Sequence, residues 1–149
     1  MAAAKEFFAI TDHEVVFLEE VTDFFFTKSE SGKSWYGNDN LNLAEFDVVL
    51  TDVNLPGAID KGRGESLTAV GPIGLLVAMK AIQQGVKYIG VITDANHHEP
   101  NPISKGFDMF VGKRGFFVTG KSTILMQNGE KGSARDWGGW FDWLVGSTD

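Results

Sequence analysis

Two stretches of the chain decide the fold: Phe46-Asp-Val-Val-Leu-Thr-Asp52 and Tyr88-Ile-Gly-Val-Ile-Thr-Asp94. Each is a short, mostly apolar run with β-branched residues that ends in polar residues, a pattern typical of a buried strand. Between them, Gly71-Pro72 predicts a helix start, because proline suits the first helical position, and Gly85 stands where a C-terminal cap belongs. The residues at helical spacing are Leu75, Leu76, Met79 and Ile82. The order strand, helix, strand indicates a βαβ unit with parallel strands.

Two further elements follow towards the C-terminus. Ser122–Asn128 predicts another strand, and the end of the chain predicts an amphipathic helix that packs against the sheet. The side chains that carry this helical spacing are Trp137, Trp140, Phe141 and Leu144. We therefore expect residues 1–149 to form a single α/β domain, a three-layer, doubly wound parallel sheet of the flavodoxin-like kind.

The N-terminal third is compatible with two interpretations. In the first, Ala2–Ile10 is a helix and His13–Val21 is a strand. In the second, Phe7–Thr11 is a strand and residues 14–27 form a helix. The pattern of apolar residues alone does not choose between them.

Polar and glycine-containing segments predict three connections between these elements. Residues 29–43 are expected to be a polar loop, and Val53-Asn-Leu-Pro-Gly57 is expected to be a turn. Residues 57–71 are expected to be a second long loop. Because long structureless loops are uncommon in compact domains and are often functional, this loop is a candidate lid over a site.

Composition and charge exclude several classes of function. The chain has 20 acidic and 13 basic residues, a formal net charge of −7, which argues against nucleic acid or an anionic membrane as partner. It has no cysteine, and therefore neither a disulfide, a thiolate metal site nor a thiol nucleophile. No apolar run reaches the roughly 18–20 residues of a membrane span, and no signal-peptide pattern is present. We expect a cytoplasmic location.

Polar residues stand at the predicted ends of the two principal strands. Asp52 ends the first strand, and Thr93 and Asp94 end the second. Ligands of parallel α/β sheets bind at the carboxyl ends of the strands. If the two strands are neighbours, these side chains face one crevice, which is the first place to look for a functional site.

The segment Phe46 to Gly57 resembles the third strand and the following turn of a response-regulator receiver domain, in which the strand ends in the phosphoacceptor aspartate. The resemblance implies that Asp52 is the phosphoacceptor, or its relic, and that the backbone carbonyl of Asn54 binds Mg²⁺. It also implies that Thr93, at the end of the next strand, contacts the phosphoryl group.

Receivers also place a lysine after their fifth strand, and both Lys113 and Lys131 are candidates for it. The resemblance implies a two-component signalling domain more than an enzyme. Its aspartyl nucleophile would form an acyl phosphate whose oxygens Mg²⁺ and the lysine neutralise. It further implies a protein partner, either a kinase or a regulatory target, and a homodimer is also compatible with the sequence.

The N-terminus departs from the receiver pattern, which has two acidic residues at the end of its first strand. If Ala2–Ile10 is a helix, both acids and that strand are absent. The strand His13–Val21 could then pair directly with the one ending at Asp52, or a partner chain could supply the missing strand. In the second interpretation Phe7–Thr11 is the first strand, and Asp12 and Glu14 are the acids.

The segment Thr93-Asp-Ala-Asn-His-His-Glu99 allows a second function, a small metal-dependent hydrolase. Imidazole and carboxylate groups bind Mg²⁺ or another divalent metal according to ligand type, and they also serve as general bases. The residues of this site would be Asp52, Asp94, His97, His98 and Glu99. The ordinary alternative is a polar loop in which Asp94 or Asn96 caps the next segment. A third possibility is a non-catalytic binding module that uses its sheet edge or its aromatic helix.

Overall fold

The computed structural model describes a defined part of the chain: residues 5, 8–17, 26–28, 35–37, 42–59, 67–93, 116–128 and 137–146. Its strands are β1 (Phe26–Lys28), β2 (Trp35–Gly37), β3 (Val48–Asp52), β4 (Leu55–Ile59), β5 (Leu67–Gly71), β6 (Tyr88–Thr93), β7 (Phe116–Thr119) and β8 (Ser122–Asn128). Its helices are α1 (Ile73–Gln83) and α2 (Trp137–Gly146), and a 3₁₀ turn covers Leu43–Glu45.

A four-stranded mixed sheet in the order β3-β6-β8-β7 lies at the centre of the fold. β3 pairs in parallel with β6, and β6 pairs in parallel with β8, so the predicted βαβ unit is confirmed. β8 has the predicted bounds, whereas β3 begins two residues later than expected and β6 ends one residue earlier. The α/β class is therefore confirmed.

The prediction of a wholly parallel sheet is wrong because β7 runs antiparallel to β8. The register pairs Thr119 with Ser122, which leaves Gly120 and Lys121 as a two-residue hairpin turn. Gly120 has a φ of 58°, the left-handed conformation that such turns favour. A turn this short can only join antiparallel strands, so β7 is added to the sheet edge as a hairpin partner.

Helix α1 presents its small residues to the sheet. Its buried residues are Gly74, Val77, Ala78 and Ala81. The larger residues that identified the helix in the sequence are not all on that face, because Leu76 is 54% exposed and Met79 is 65% exposed. Small side chains allow the helix axis to lie close to the strands, so volume rather than hydrophobicity decided which face is buried.

The C-terminal end of α1 is a Schellman motif, as the position of Gly85 predicted. The Val86 N–H donates to the Ala81 carbonyl at 3.0 Å, and the Gly85 N–H donates to the Ile82 carbonyl at 3.0 Å. Gly85 has a φ of 76°, a conformation that residues with a Cβ atom rarely adopt. Val86, 2% exposed, then leads the chain directly into β6.

We expect Gly85→Ala to destabilise the protein by about 1–2 kcal/mol, because alanine is strained in the left-handed conformation. Gly85→Asn should cost less, since asparagine tolerates this conformation better. Urea unfolding of the two variants against the parent chain measures both effects. Equal stability of all three proteins would contradict the Schellman assignment.

The two helices cover opposite faces of the sheet. Alternate residues of β6 and β8 point to opposite sides. Ile89, Val91 and Ile124 belong to the apolar cluster that contains the buried residues of α1. Tyr88 and Leu125 belong to a second cluster, which contains Leu144 of α2. The described residues of α1 and α2 therefore pack with the sheet in two different apolar clusters.

The packing predicted for the C-terminal helix is confirmed for Trp140 and Leu144, whereas Phe141 contacts Phe8 and His13. Leu144 of α2 is fully buried, and Trp140 packs against the same apolar cluster. Trp143 lies further out at 45% exposure and makes an edge-to-face contact with Phe116, with 4.9 Å between ring centroids. Neither α1 nor α2, the two α-helices whose bounds are described, is long and apolar enough to cross a membrane.

Two described N-terminal residues pack on Phe141 of α2. Phe8 is helical, residues 9–12 form a turn, and residues 13–17 have no regular structure. The rings of Phe8 and His13 both contact Phe141, with centroid distances of 5.6 Å and 4.9 Å. Aromatic packing on a neighbouring helix therefore fixes this segment, rather than pairing in the sheet.

Both N-terminal interpretations need correction where the chain is described. The strand Phe7–Thr11 is wrong, because residues 8–11 are helical or in a turn. The helix over residues 14–27 is wrong, because residues 14–17 are irregular and Phe26–Lys28 is strand β1. The strand His13–Val21 does not form over residues 13–17. The helical state of Lys5 and Phe8 agrees with the helix Ala2–Ile10.

Two predicted loops contain antiparallel strand pairs. β2 lies within residues 29–43 and pairs with β1, which precedes them. β5 lies within residues 57–71 and pairs with β4, which overlaps their start. The predicted turn Val53–Gly57 is shorter than expected, because β4 already begins at Leu55. Pro56 misled the prediction: proline is tolerated in a two-stranded ribbon wherever its missing N–H would face away from the partner.

Candidate functional site

Asp52 and Thr93 lie at the same end of the sheet, where the neighbouring strands β3 and β6 terminate, as the sequence predicted. They end the parallel neighbours β3 and β6, in a register that pairs Asp52 with Ile92. Thr93 is therefore one residue beyond the position opposite Asp52. Typical strand spacing and rise place the two Cα atoms roughly 6 Å apart. Both residues therefore lie at the carboxyl ends of neighbouring parallel strands, which is where ligands of such sheets bind.

The turn after β3 orients the carboxyl group of Asp52. The Asn54 N–H donates to Asp52 Oδ1 at 3.3 Å, which is the local hydrogen bond that aspartate commonly makes to the backbone two residues later. Asp52 as a whole residue is half-buried. The neighbouring Thr51 hydroxyl, which is buried, donates to the Asp52 carbonyl at 3.0 Å.

Val53 ties the turn to both β6 and α1. Its N–H donates to the Ile92 carbonyl at 3.1 Å, and its carbonyl accepts from the Gly74 N–H at 3.0 Å. The Val53 side chain is only 1% exposed. The end of β3 is therefore held by a strand on one side and by the first turn of a helix on the other, a rigid support for a functional carboxylate.

Gly74 is the residue that permits this close approach. A Cβ atom at position 74 would lie 1.6 Å from the Asp52 carbonyl oxygen and 2.8 Å from Thr51 Oγ1, so that no other residue fits without movement of the backbone. The need for glycine at position 74 was not predicted from the sequence. Its signal was available: a glycine in the first turn of a helix lowers helix propensity and so suggests a packing reason.

The two side chains of the pair differ in accessibility. Thr93 is 1% exposed, whereas Asp52 is half-buried. The register pairs Asp52 with Ile92, so the side chain of Thr93, the next residue, is directed to the other face of the sheet.

The other predicted site residues lie outside the described part of the chain: Asp94, His97, His98, Glu99, Lys113 and Lys131. Their roles stay predictions. Among the residues that the structure describes, no three His, Asp or Glu side chains form a group that could hold a metal ion.

The acidic pair of the second N-terminal interpretation is not at the end of a sheet strand. Asp12 is the last residue of the turn that follows Phe8, and Glu14 lies in the irregular segment after it. Both side chains are exposed. The prediction that a first strand presents these two acids beside Asp52 is therefore wrong.

Comparison with known proteins adds no family to this description. No protein-family model, curated protein or solved structure matches the chain.

Proposed function

We propose that this chain is a regulatory domain of the receiver type and that Asp52 is its phosphoacceptor. The observation that carries the proposal is the position of Asp52 and Thr93 at the ends of adjacent parallel strands. A half-buried carboxylate and a buried hydroxyl at the ends of neighbouring strands are the groups that would accept a phosphoryl group and then hydrogen-bond it.

The order of the parallel strands supports the proposal. The strand order of receivers is 2-1-3-4-5. β3, β6 and β8 are parallel and lie side by side in the sheet in the order β3-β6-β8. In the chain, α1 lies between β3 and β6, and α2 follows β8. The three strands correspond to the third, fourth and fifth strands of a receiver, with a helix on each face. A three-layer, doubly wound architecture is part of the proposal.

The same correspondence favours Lys131 over Lys113 as the lysine that contacts the phosphoryl group. A receiver places this lysine after its fifth strand. β8 ends at Asn128, so Lys131 follows it closely, whereas Lys113 precedes both strands of the β7–β8 hairpin.

The chemistry assigned to the site is one phosphoryl transfer. An Asp52 carboxylate oxygen attacks the phosphorus of a donor, a bond forms between them, and the bond from phosphorus to the leaving group breaks with its electron pair. The Thr93 hydroxyl donates a hydrogen bond to the transferred group. The Asp52 carboxylate and the Asn54 backbone carbonyl are the oxygen donors that Mg²⁺ prefers, and bound Mg²⁺ would neutralise phosphoryl charge.

The proposal includes a protein as partner. The chain would receive its phosphoryl group from a kinase or a small donor and act on a regulatory target in the cytoplasm. A net charge of −7 disfavours nucleic acid and anionic membranes as targets. A homodimer is compatible with this role.

Incubation with radiolabelled acetyl phosphate and Mg²⁺ tests the proposal. We expect incorporation of label that alkali removes, as it does from an acyl phosphate. Asp52→Asn should reduce the label by about tenfold or more, because the amide is not a competent nucleophile. Asp142→Asn, at an exposed position of α2, is the matched control and should label like the parent chain. A parent chain that takes up no label would overturn the assignment.

A further inference from the structure

The outer edge of β3 has a row of backbone groups that no strand in the described part of the chain pairs with. β3 is the last strand of the central sheet on that side, and no described residue pairs with it there. In a receiver this edge would be covered by the first strand, because the third strand lies inside the order 2-1-3-4-5. The described N-terminal residues do not cover it, since Phe8 and His13 pack on α2.

The hydrogen bonds at the two ends of β3 define which residues face outwards. The Asp47 carbonyl accepts from the Tyr88 N–H at 3.1 Å, and the Val53 N–H donates to the Ile92 carbonyl at 3.1 Å. Residues of a strand alternate between its two edges. Residues 49 and 51 therefore also bond to β6, whereas Val48 and Leu50 direct their N–H and carbonyl groups away from the sheet.

Within residues 48–51, this edge carries no lysine, proline or bulge of the kind that usually protects an exposed strand. Edge strands commonly contain a lysine, a proline, a bulge or an inward-pointing charge. Residues 48–51 are Val-Val-Leu-Thr, and their pairing with β6 is continuous, without a bulge. Both Val48 and Leu50 are half-buried on the face that α2 covers. An apolar, regular edge of this kind is suited to pairing with another strand.

Charge and size identify the kind of strand that fits. Acidic residues flank the edge: Glu45 and Asp47 are exposed before β3, and Asp52 ends it. A second copy paired at this edge would bring its own acidic flanks against these, which disfavours self-pairing at this place. An edge of 5 residues is also too short to bury the roughly 800 Å² per partner that is typical of stable dimers.

We propose that the outer edge of β3 binds an extended peptide segment of a protein partner, with alternating β-branched residues at its centre and basic residues at its ends. The peptide adds a strand through the N–H and carbonyl groups of Val48 and Leu50, and its basic ends lie near Asp47 and Asp52. This binding does not depend on phosphorylation of Asp52, and its failure would leave the acetyl phosphate result unchanged.

Amide hydrogen exchange followed by NMR tests the proposal on the full chain. The probe is a synthetic peptide of alternating valine and threonine with lysines at both ends, and its control has glutamates in place of the lysines. The Val48 and Leu50 amides should exchange rapidly in the free protein. With the lysine peptide bound, they should exchange at least about tenfold more slowly. The Val49 amide, which bonds to β6, is the internal reference and should be protected throughout.

A pair of substitutions at one position separates the backbone from the side chain. Val48→Pro removes an outward N–H at the first residue of the strand, where proline is tolerated, whereas Val48→Ala keeps that N–H. We expect Val48→Pro to bind the lysine peptide about threefold to tenfold more weakly than Val48→Ala, the effect of one ladder hydrogen bond. Asp47→Asn should weaken binding up to about fivefold at low salt.

Each alternative occupant gives a distinct result that overturns the proposal. Protection of Val48 and Leu50 equal to that of Val49 in the free monomer means that the chain already covers the edge itself. Protection that increases with protein concentration, without peptide, identifies a second copy as the occupant. If the lysine and glutamate peptides bind equally well, basic ends are not recognised. If Val48→Pro and Val48→Ala bind the lysine peptide equally well, the peptide does not add a strand to β3.

Discussion

Replacement of Gly74 by alanine will destabilise the protein by about 3 kcal/mol or more, although the same change inside a helix normally stabilises it by up to about 1 kcal/mol. The reversal arises because the new Cβ atom would lie 1.6 Å from the Asp52 carbonyl oxygen. The obstacle is backbone, which cannot rotate away as a side chain could. Either α1 must move away from the end of β3 or the strand end must shift. Urea unfolding followed by tryptophan fluorescence measures the loss.

Gly71→Ala is the matched control for this prediction. Position 71 is three residues earlier, at the end of β5, and a Cβ atom there meets nothing within 4 Å. We expect its stability to lie within about 1 kcal/mol of the parent chain. If Gly74→Ala is as stable as Gly71→Ala, the contact between α1 and Asp52 is not as close as the structure shows. Because this contact also positions Asp52, Gly74→Ala should in addition reduce acetyl phosphate labelling.

Replacement of Leu144 by alanine will cost about 2–5 kcal/mol, the range for a leucine truncated in a packed core. Leu144 is fully buried, and its cluster contains Tyr88 of β6 and Leu125 of β8. It is the largest buried side chain that joins α2 to the sheet, since the other buried residue of this helix is Gly138. The space left by its side chain lies between a helix and a strand and closes only partly.

Leu76→Ala on α1 is the control for Leu144→Ala. The chemical change is identical and also falls within a helix, but Leu76 is 54% exposed. We expect a loss of less than about 1 kcal/mol, since little apolar surface leaves the core and alanine favours the helix. Urea unfolding of both variants gives the comparison. Equal losses would contradict the finding that α1 buries its small residues and exposes Leu76.

Local sequence patterns predicted the elements that are regular and strongly periodic. The strand ending at Asp52, helix α1 with its cap at Gly85 and strand β8 all form within two residues of the predicted bounds. These segments have one dominant periodicity and clear end signals, so their local preference agrees with their tertiary environment. The position of Asp52 and Thr93 at the same end of the sheet could also be predicted, because the strands of a βαβ unit are parallel and their carboxyl ends lie together.

The elements that failed are those whose partner is distant or whose pattern is ambiguous. Residues 8–17 contain two short apolar runs, but Phe8 and His13 contact Phe141 of α2, which is more than a hundred positions away in the chain. β4 and β5 contain glycine and proline and read as loop, yet they pair with each other. A two-stranded ribbon obtains its regularity from pairing, and one strand alone carries little sign of it.

The sequence by itself determined the class of the fold, the parallel β3–β6 pair and the presence of a carboxylate at the strand end, because these follow from periodicity and chain connectivity. The tertiary structure decided the orientation of β7, the buried face of α1, the need for glycine at position 74 and the open edge of β3. These depend on how closely two elements approach and which neighbour each strand finds. Such distances are set by side-chain volumes from remote parts of the chain, which no local pattern contains.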